Sequence, residues 1–173
     1  MTLVSISKDE FTALDDERLG WACAGPTLVS LRGKDMGIKG EAMAALNEHQ
    51  RSLCLFRVLY DHAKDSAPEY YGWICYLLER GDYWSGVLGA LRFFEVQSMQ
   101  ELLNETRNTL EEYNRRLGRT WNQVSITDLD RDEELRNKVV LWYDRFMNVS
   151  KESLRTIARH IRAHPDAFVV FDG

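Results

Sequence analysis

His160 and His164 are the two residues of this chain best spaced to hold a metal ion together. An i, i+4 spacing on a helix sets two imidazoles on one face, as zinc sites use them. The metalloprotease version also needs a glutamate after the first histidine, and Ile161 stands there. No third ligand is indicated, so the pair reads as the basic end of a helix, favoured by the negative pole of its dipole. Asp128, Asp130 and Asp132 open like a calcium loop. Such a loop needs glycine at its sixth position and a bidentate acid at its twelfth. Glu133 and Val139 occupy those places, so no calcium, no zinc and no cofactor are expected.

Nucleophilic chemistry finds no linear motif. Ser85 lies in Trp84-Ser85-Gly86, not in the GxSxG elbow, and no GxGxxG or phosphate-binding loop occurs. Cys54 lies between His49 and His62 in sequence, but a cysteine nucleophile needs a positioned base and a depressed pKa. Leu53-Cys54-Leu55 and Ile74-Cys75-Tyr76 instead suggest buried thiols. With Cys23, the three cysteines cannot all pair, which suits a reducing, cytoplasmic setting. An enzyme would have to assemble scattered residues such as His49, His62 and Glu79.

Charge is more informative. The formal net charge is −5, which disfavours general affinity for nucleic acid or anionic membrane. Five acids and one arginine crowd residues 126 to 134, and four acids and one arginine lie in residues 100 to 112. Lys151, Arg155, Arg159 and Arg162 form a basic stripe on a later helix. Asp128, Asp130, Asp132, Glu133 and Glu134 are therefore the candidate surface for a basic protein partner. The bland alternative is a solvated helix start, balanced by the basic stripe.

The elements follow from periodicity. Ser98 and Glu101 make a capping box, and Met99, Leu102, Leu103, Thr106, Leu110, Tyr113 and Leu117 follow on one helical face up to Gly118. Residues 132–148 form a helix with Leu135, Val139, Trp142, Tyr143 and Phe146 inside. Another starts near Ser150, carries Leu154, Ile157, Ala158 and Ile161, and stops at His164-Pro165. Asp82 caps a helix carrying Trp84, Val87, Leu88, Leu91 and Phe94, and Pro68 opens one over 68–79. Residues 41–64 read as one long helix and 8–19 as a short one. Residues 25–40, rich in glycine, read as a loop, and 119–127 as a connector. Residues 29–31 and 169–171 suit short strands as well.

No stretch has the apolar length of a membrane span, and the first ten residues lack the pattern of a signal peptide. Hydrophobic residues make up 45%, with five Trp, seven Tyr and seven Phe, enough for one real core. The expected fold is an all-α single domain of six or seven helices over residues 1–173. The expected core is Leu53, Phe56, Trp73, Leu88, Leu91, Leu102, Leu103, Trp142, Phe146, Leu154, Ile157 and Ile161.

One stretch resembles a known family. Tyr70-Tyr71-Gly72-Trp73-Ile74-Cys75-Tyr76-Leu77-Leu78-Glu79, then Gly81, is similar to the motif Asn-Gly-Gly-Phe-x-Gln-Tyr-Phe-x-Asn of a bacterial domain of unknown function. The helix containing Leu46 to Arg51 and the tail His164-Pro165-Asp166-Ala167-Phe168 resemble its flanks, so the likeness spans about residues 44–170. Gly72, Trp73, Tyr76 and Gly81 keep the motif. Its asparagines, first glycine and glutamine are replaced by Tyr70, Glu79, Tyr71 and Cys75. That family includes a DNA-mimic protein that binds a transcription factor. With the acidic segments and the lack of a catalytic motif, the resemblance implies a non-catalytic module that uses an acidic surface to engage a basic partner, a DNA-binding regulator or a toxin. The charge disfavours direct nucleic acid or membrane contact, a homodimer is an option, and the alternatives are the scattered-residue enzyme and a structural or oligomeric protein. A structural role for Gly72, at a helix entry or a close backbone approach, implies that Gly72→Ala costs ~1 kcal/mol or more.

Overall fold

Short polar caps punctuate the chain. Ser7, Asp15, Asp35, Asn47, Ser66 and Asp132 each accept a backbone N–H three residues on, at 2.8–3.2 Å. Each thereby satisfies a donor that a helix start leaves open. The computed structural model describes residues 3–172 and contains nine helices among them, seven of these at least seven residues long. The order is β1 (Val4–Ser7), α1 (Lys8–Ala13), α2 (Asp16–Ser30), α3 (Met36–Ala44), α4 (Glu48–Ala63), α5 (Ala67–Glu79), α6 (Gly81–Phe93), α7 (Gln97–Leu117), α8 (Asp128–Arg131), α9 (Glu133–Ala163) and β2 (Val169–Asp172). The fold is all-α, as expected, with more helices than six or seven.

Helix α4 lies at the centre and packs on α2, α5 and α6, while α9 covers α2, α5 and α7. Phe56, Leu59, Tyr70, Leu102, Leu103 and Phe146 are among the core residues between them. Of the expected core, Trp73, Leu88 and Leu154 are only half-buried; the other nine are buried. β1 and β2 pair in parallel, Val4 opposite Val169, and tie the two ends of the described chain together. The strand option at 169–171 is realised; 29–31 instead covers the end of α2.

Several boundaries differ from the sequence reading, each for a local reason. The helices expected over 132–148 and from Ser150 are one 31-residue helix, α9. Ser150 is buried rather than capping, and Trp142, Phe146, Ser153, Ile157 and Ile161 keep one buried face in phase across it. Residues 25–40 are mostly helical. α2 runs through Pro26, whose ring is exposed, and Gly25 lets the Trp21 ring lie close. A Cβ on Gly25 would sit 2.8 Å from that ring. Asn47 and Asp15 divide the segments 41–64 and 8–19 by capping α4 and α2.

The box expected at Ser98 does not form. α7 starts at Gln97 because Glu95, at φ 57°, turns the chain so that the Val96 N–H donates to the Leu91 carbonyl at 2.9 Å. Asp82 likewise sits in the first turn of α6 and makes no cap bond. Gly118 ends α7 in the left-handed conformation, φ 63°, as expected. All three cysteines are free and buried. No helix among the described residues is long and apolar enough to cross a membrane.

Candidate functional site

A stripe on α4, Arg51, Leu55, Val58 and His62, follows helical spacing yet remains incompletely covered by the rest of the fold. It forms the floor of an open groove of about 1330 Å³. The end of α2 and helix α3 make one wall, and α5 with the start of α6 makes the other. No residue of α3 is buried, and Met36 and Ile38 on it are exposed. This wall is therefore weakly anchored; the Tyr83 hydroxyl reaches across to the Met36 sulfur at 3.7 Å.

The aromatic wall is a ladder. His62 stacks on Trp73 at 4.0 Å between ring centres, Trp73 on Tyr76 at 4.8 Å, and Arg80 lies 4.9 Å over Tyr76. The Trp73 indole N–H is buried with no acceptor among the described residues. Two residues of the family-like motif, Trp73 and Tyr76, thus line the groove. Gly72 faces elsewhere: a Cβ there would lie 3.1 Å from Ile126. Gly81 opens α6, where a Cβ would meet open space.

One end of the groove carries a closed set of charges. The Arg57 side chain is only 3% exposed and donates to both Asp61 oxygens, at 3.0 and 2.6 Å. Its guanidinium also lies 5.3 Å from the ring centres of Trp21 and of Tyr60. Lys64 reaches Glu17 at 3.1 Å and Asp61 at 3.5 Å. Burial works to lower the Lys64 pKa, but the bond to Glu17 and the neighbouring carboxylates outweigh it and raise it. Sequence reasoning missed this set. The i, i+4 pair Arg57/Asp61 and the i, i+3 pair Trp73/Tyr76 were the available signals.

The metal-spaced pair has company. His160 and His164, at the end of α9, meet His49 from the start of α4, with the three ring centres 4.7–5.5 Å apart. His49 is 111 residues away from His160, so no local spacing announces that it joins this pair. Phe93, Phe94 and Phe168 close around His160. Burial first, then the neighbouring His164 and His49, hold the His160 pKa below its ordinary value of 6.5. Among the described residues no group of three His, Cys, Asp or Glu is arranged to hold a metal ion.

The acidic segment divides in two. Asp128 accepts from Arg119 at 2.8 Å, from the Ser125 N–H at 3.0 Å and from the Tyr71 hydroxyl at 3.3 Å. Asp132 caps α9 and accepts from the Tyr113 hydroxyl at 2.6 Å; the bond from the Leu135 N–H, then that from Tyr113, lowers its pKa. Asp130 and Glu133 are exposed without a side-chain partner among the described residues, and Glu134 pairs with Lys138 at 2.8 Å. On α7, Glu105 faces Arg145, Glu111 faces Arg107, and Glu112 faces Arg115. Most of these carboxylates therefore have a cation or a structural donor beside them. Of the basic stripe, Arg162 is bound to Asp16 at 2.7 Å and to the Leu14 carbonyl at 3.0 Å.

The residues of the scattered-enzyme reading do not converge. His49 and His62 stand roughly 20 Å apart along α4 at helical rise. Glu79 is exposed at the end of α5. No family model, no curated protein and no solved structure matches this chain.

Proposed function

We propose that this chain is a non-catalytic protein-binding module of the cytoplasm, and that its partner docks in the groove between α3 and α5 over the floor of α4. The observation that carries the reading is the groove itself. Its volume of about 1330 Å³ exceeds the ~300–1,000 Å³ of ordinary small-molecule sites. Its surface mixes exposed and half-buried aromatics and methionines with rim charges, the mixture that interfaces favour. The likeness of residues 68–103 to a family with a DNA-mimic member points the same way, toward a protein partner.

A second reading keeps the acidic surface as the contact for a basic regulator or toxin, in the manner of a DNA mimic. It rests on exposed Asp130, Glu133 and Glu134. The internal partners of Asp128 and Asp132 leave it less charge to use. The two readings separate by position. A photo-cross-linking amino acid placed at Val58, in the groove, or at Asp130, outside it, is tested in living cells. A defined protein captured from Val58 supports the groove. Capture from Asp130 alone removes the groove reading in favour of the acidic surface.

A further inference from the structure

Some cations of the groove are matched by carboxylates and others are not. Arg57 and Lys64 have Asp61 and Glu17, and Arg18 has Asp15. Arg32 just after α2, Lys39 on α3 and Arg51 on α4 line the same groove. Their side chains have no ion pair or hydrogen bond among the described residues. Arg51 also stands in the first turn of α4, where the helix dipole disfavours a cation. These three positive charges come from three different elements and line one apolar trough, in a chain whose net charge is negative.

We propose that the groove takes an amphipathic helix of a partner protein, one whose apolar face is bordered by acidic residues. This rests on the binding-module reading and adds the chemistry of the partner. A helix laid apolar side down presents side chains at i, i+3, i+4 and i+7, which suits a long trough better than a closed pocket. Leu55, Val58 and Trp73 offer the apolar seat, and the acids of the partner meet Arg32, Lys39 and Arg51. Charges set beside apolar walls act through less water, so complementarity there steers the encounter and fixes its direction. Met36 and Met43 line the α3 side. Flexible thioethers on a weakly anchored wall let the groove close on side chains of different shapes.

The test uses the whole chain and two synthetic peptides of about 18 residues, long enough to hold helix on a surface. Both share one Leu/Trp face. One carries Glu at the flanking positions, the other Lys. Fluorescence anisotropy should show saturable binding of the Glu peptide. The double variant Lys39→Glu/Arg51→Glu should weaken it roughly tenfold or more at low salt, and Trp73→Ala should abolish it. Circular dichroism verifies that both variants fold. If the Lys peptide binds as tightly and Trp73→Ala removes it, the acidic-helix inference falls while the groove remains a binding surface. If neither peptide shows binding sensitive to Trp73→Ala, the inference falls, and the cross-linking at Val58 decides the groove separately. Self-association that the Glu peptide cannot displace would make a second copy the occupant and would also overturn it.

Discussion

The Nδ1 of His49 lies 2.9 Å from the Nε2 of His160, close enough to share one proton. With His164 beside them, this contact joins the start of α4 to the end of α9 inside a shell of phenylalanines. The His160 pKa is lowered in the folded state, so the unfolded chain takes up its proton first. Stability should therefore hold at neutral pH and fall as pH drops through about 6.5, the loss levelling off below the folded pKa. Melting curves across this range should show the fall, and His160→Gln should flatten it. A wild-type melting temperature independent of pH from about 7 to about 5 would show that the cluster carries no such linkage.

The thiols provide a second check. Burial pushes Cys23, Cys54 and Cys75 up to about 12. Since the thiolate is the reactive form, a disulfide reagent at mildly alkaline pH should label none of them in the native protein and all of them in denaturant. Rapid native labelling of any one would mean that its helix opens readily.

Arg57 provides a third. Its charge is buried and depends on Asp61 for neutralisation. Asp61→Asn should cost about 2–4 kcal/mol in urea denaturation, because it strands that charge. Arg57→Met should cost less, and the double variant less than the sum of the two single costs. Strict additivity would mean that the pair is not coupled.

Gly72 tests how far local sequence chemistry reaches. The family-like motif suggested a glycine that tolerates no side chain, but here it sits inside α5 with ordinary helical backbone. A new Cβ would meet only Ile126, at 3.1 Å, and that residue is 43% exposed. The contact can yield, and alanine gains ~1 kcal/mol of helix propensity. Gly72→Ala should therefore be near neutral instead of costly, and clearly stabilising when Ile126→Ala has removed the contact. Urea melts of the two variants and their combination measure this.

The sequence carried the helical class and most of the core because periodic apolar spacing is local. Leu102, Leu103, Phe146 and Ile157 needed nothing else. Boundaries failed where a polar residue had two possible roles. Ser150 reads as a cap but is buried inside one long helix. The groove was not legible because its three unmatched cations come from separate elements. Nothing in the spacing of Arg32, Lys39 and Arg51 announces that the fold lines one groove with all three. His49 joined His160 for the same reason.

The acidic segment yields the last prediction, now divided by what each carboxylate touches. Asp128→Asn should cost about 1–2 kcal/mol, because Arg119 and the Ser125 N–H lose a charged acceptor. Asp132→Ala should cost ~1 kcal/mol through the lost cap of α9. Asp130→Asn, Glu133→Gln and Glu134→Gln together should leave stability nearly unchanged, since exposed charges and one surface pair contribute little. That triple variant therefore isolates binding from folding. If the groove is the interface, the triple variant associates with the captured partner at the wild-type rate at every salt concentration. Trp73→Ala, in contrast, loses binding. If the exposed acids steer a basic partner, the triple variant associates more slowly, and the deficit shrinks as salt screens the charges. Stopped-flow association at two ionic strengths distinguishes the cases, and a salt-dependent deficit in the triple variant alone would return the function to the acidic surface.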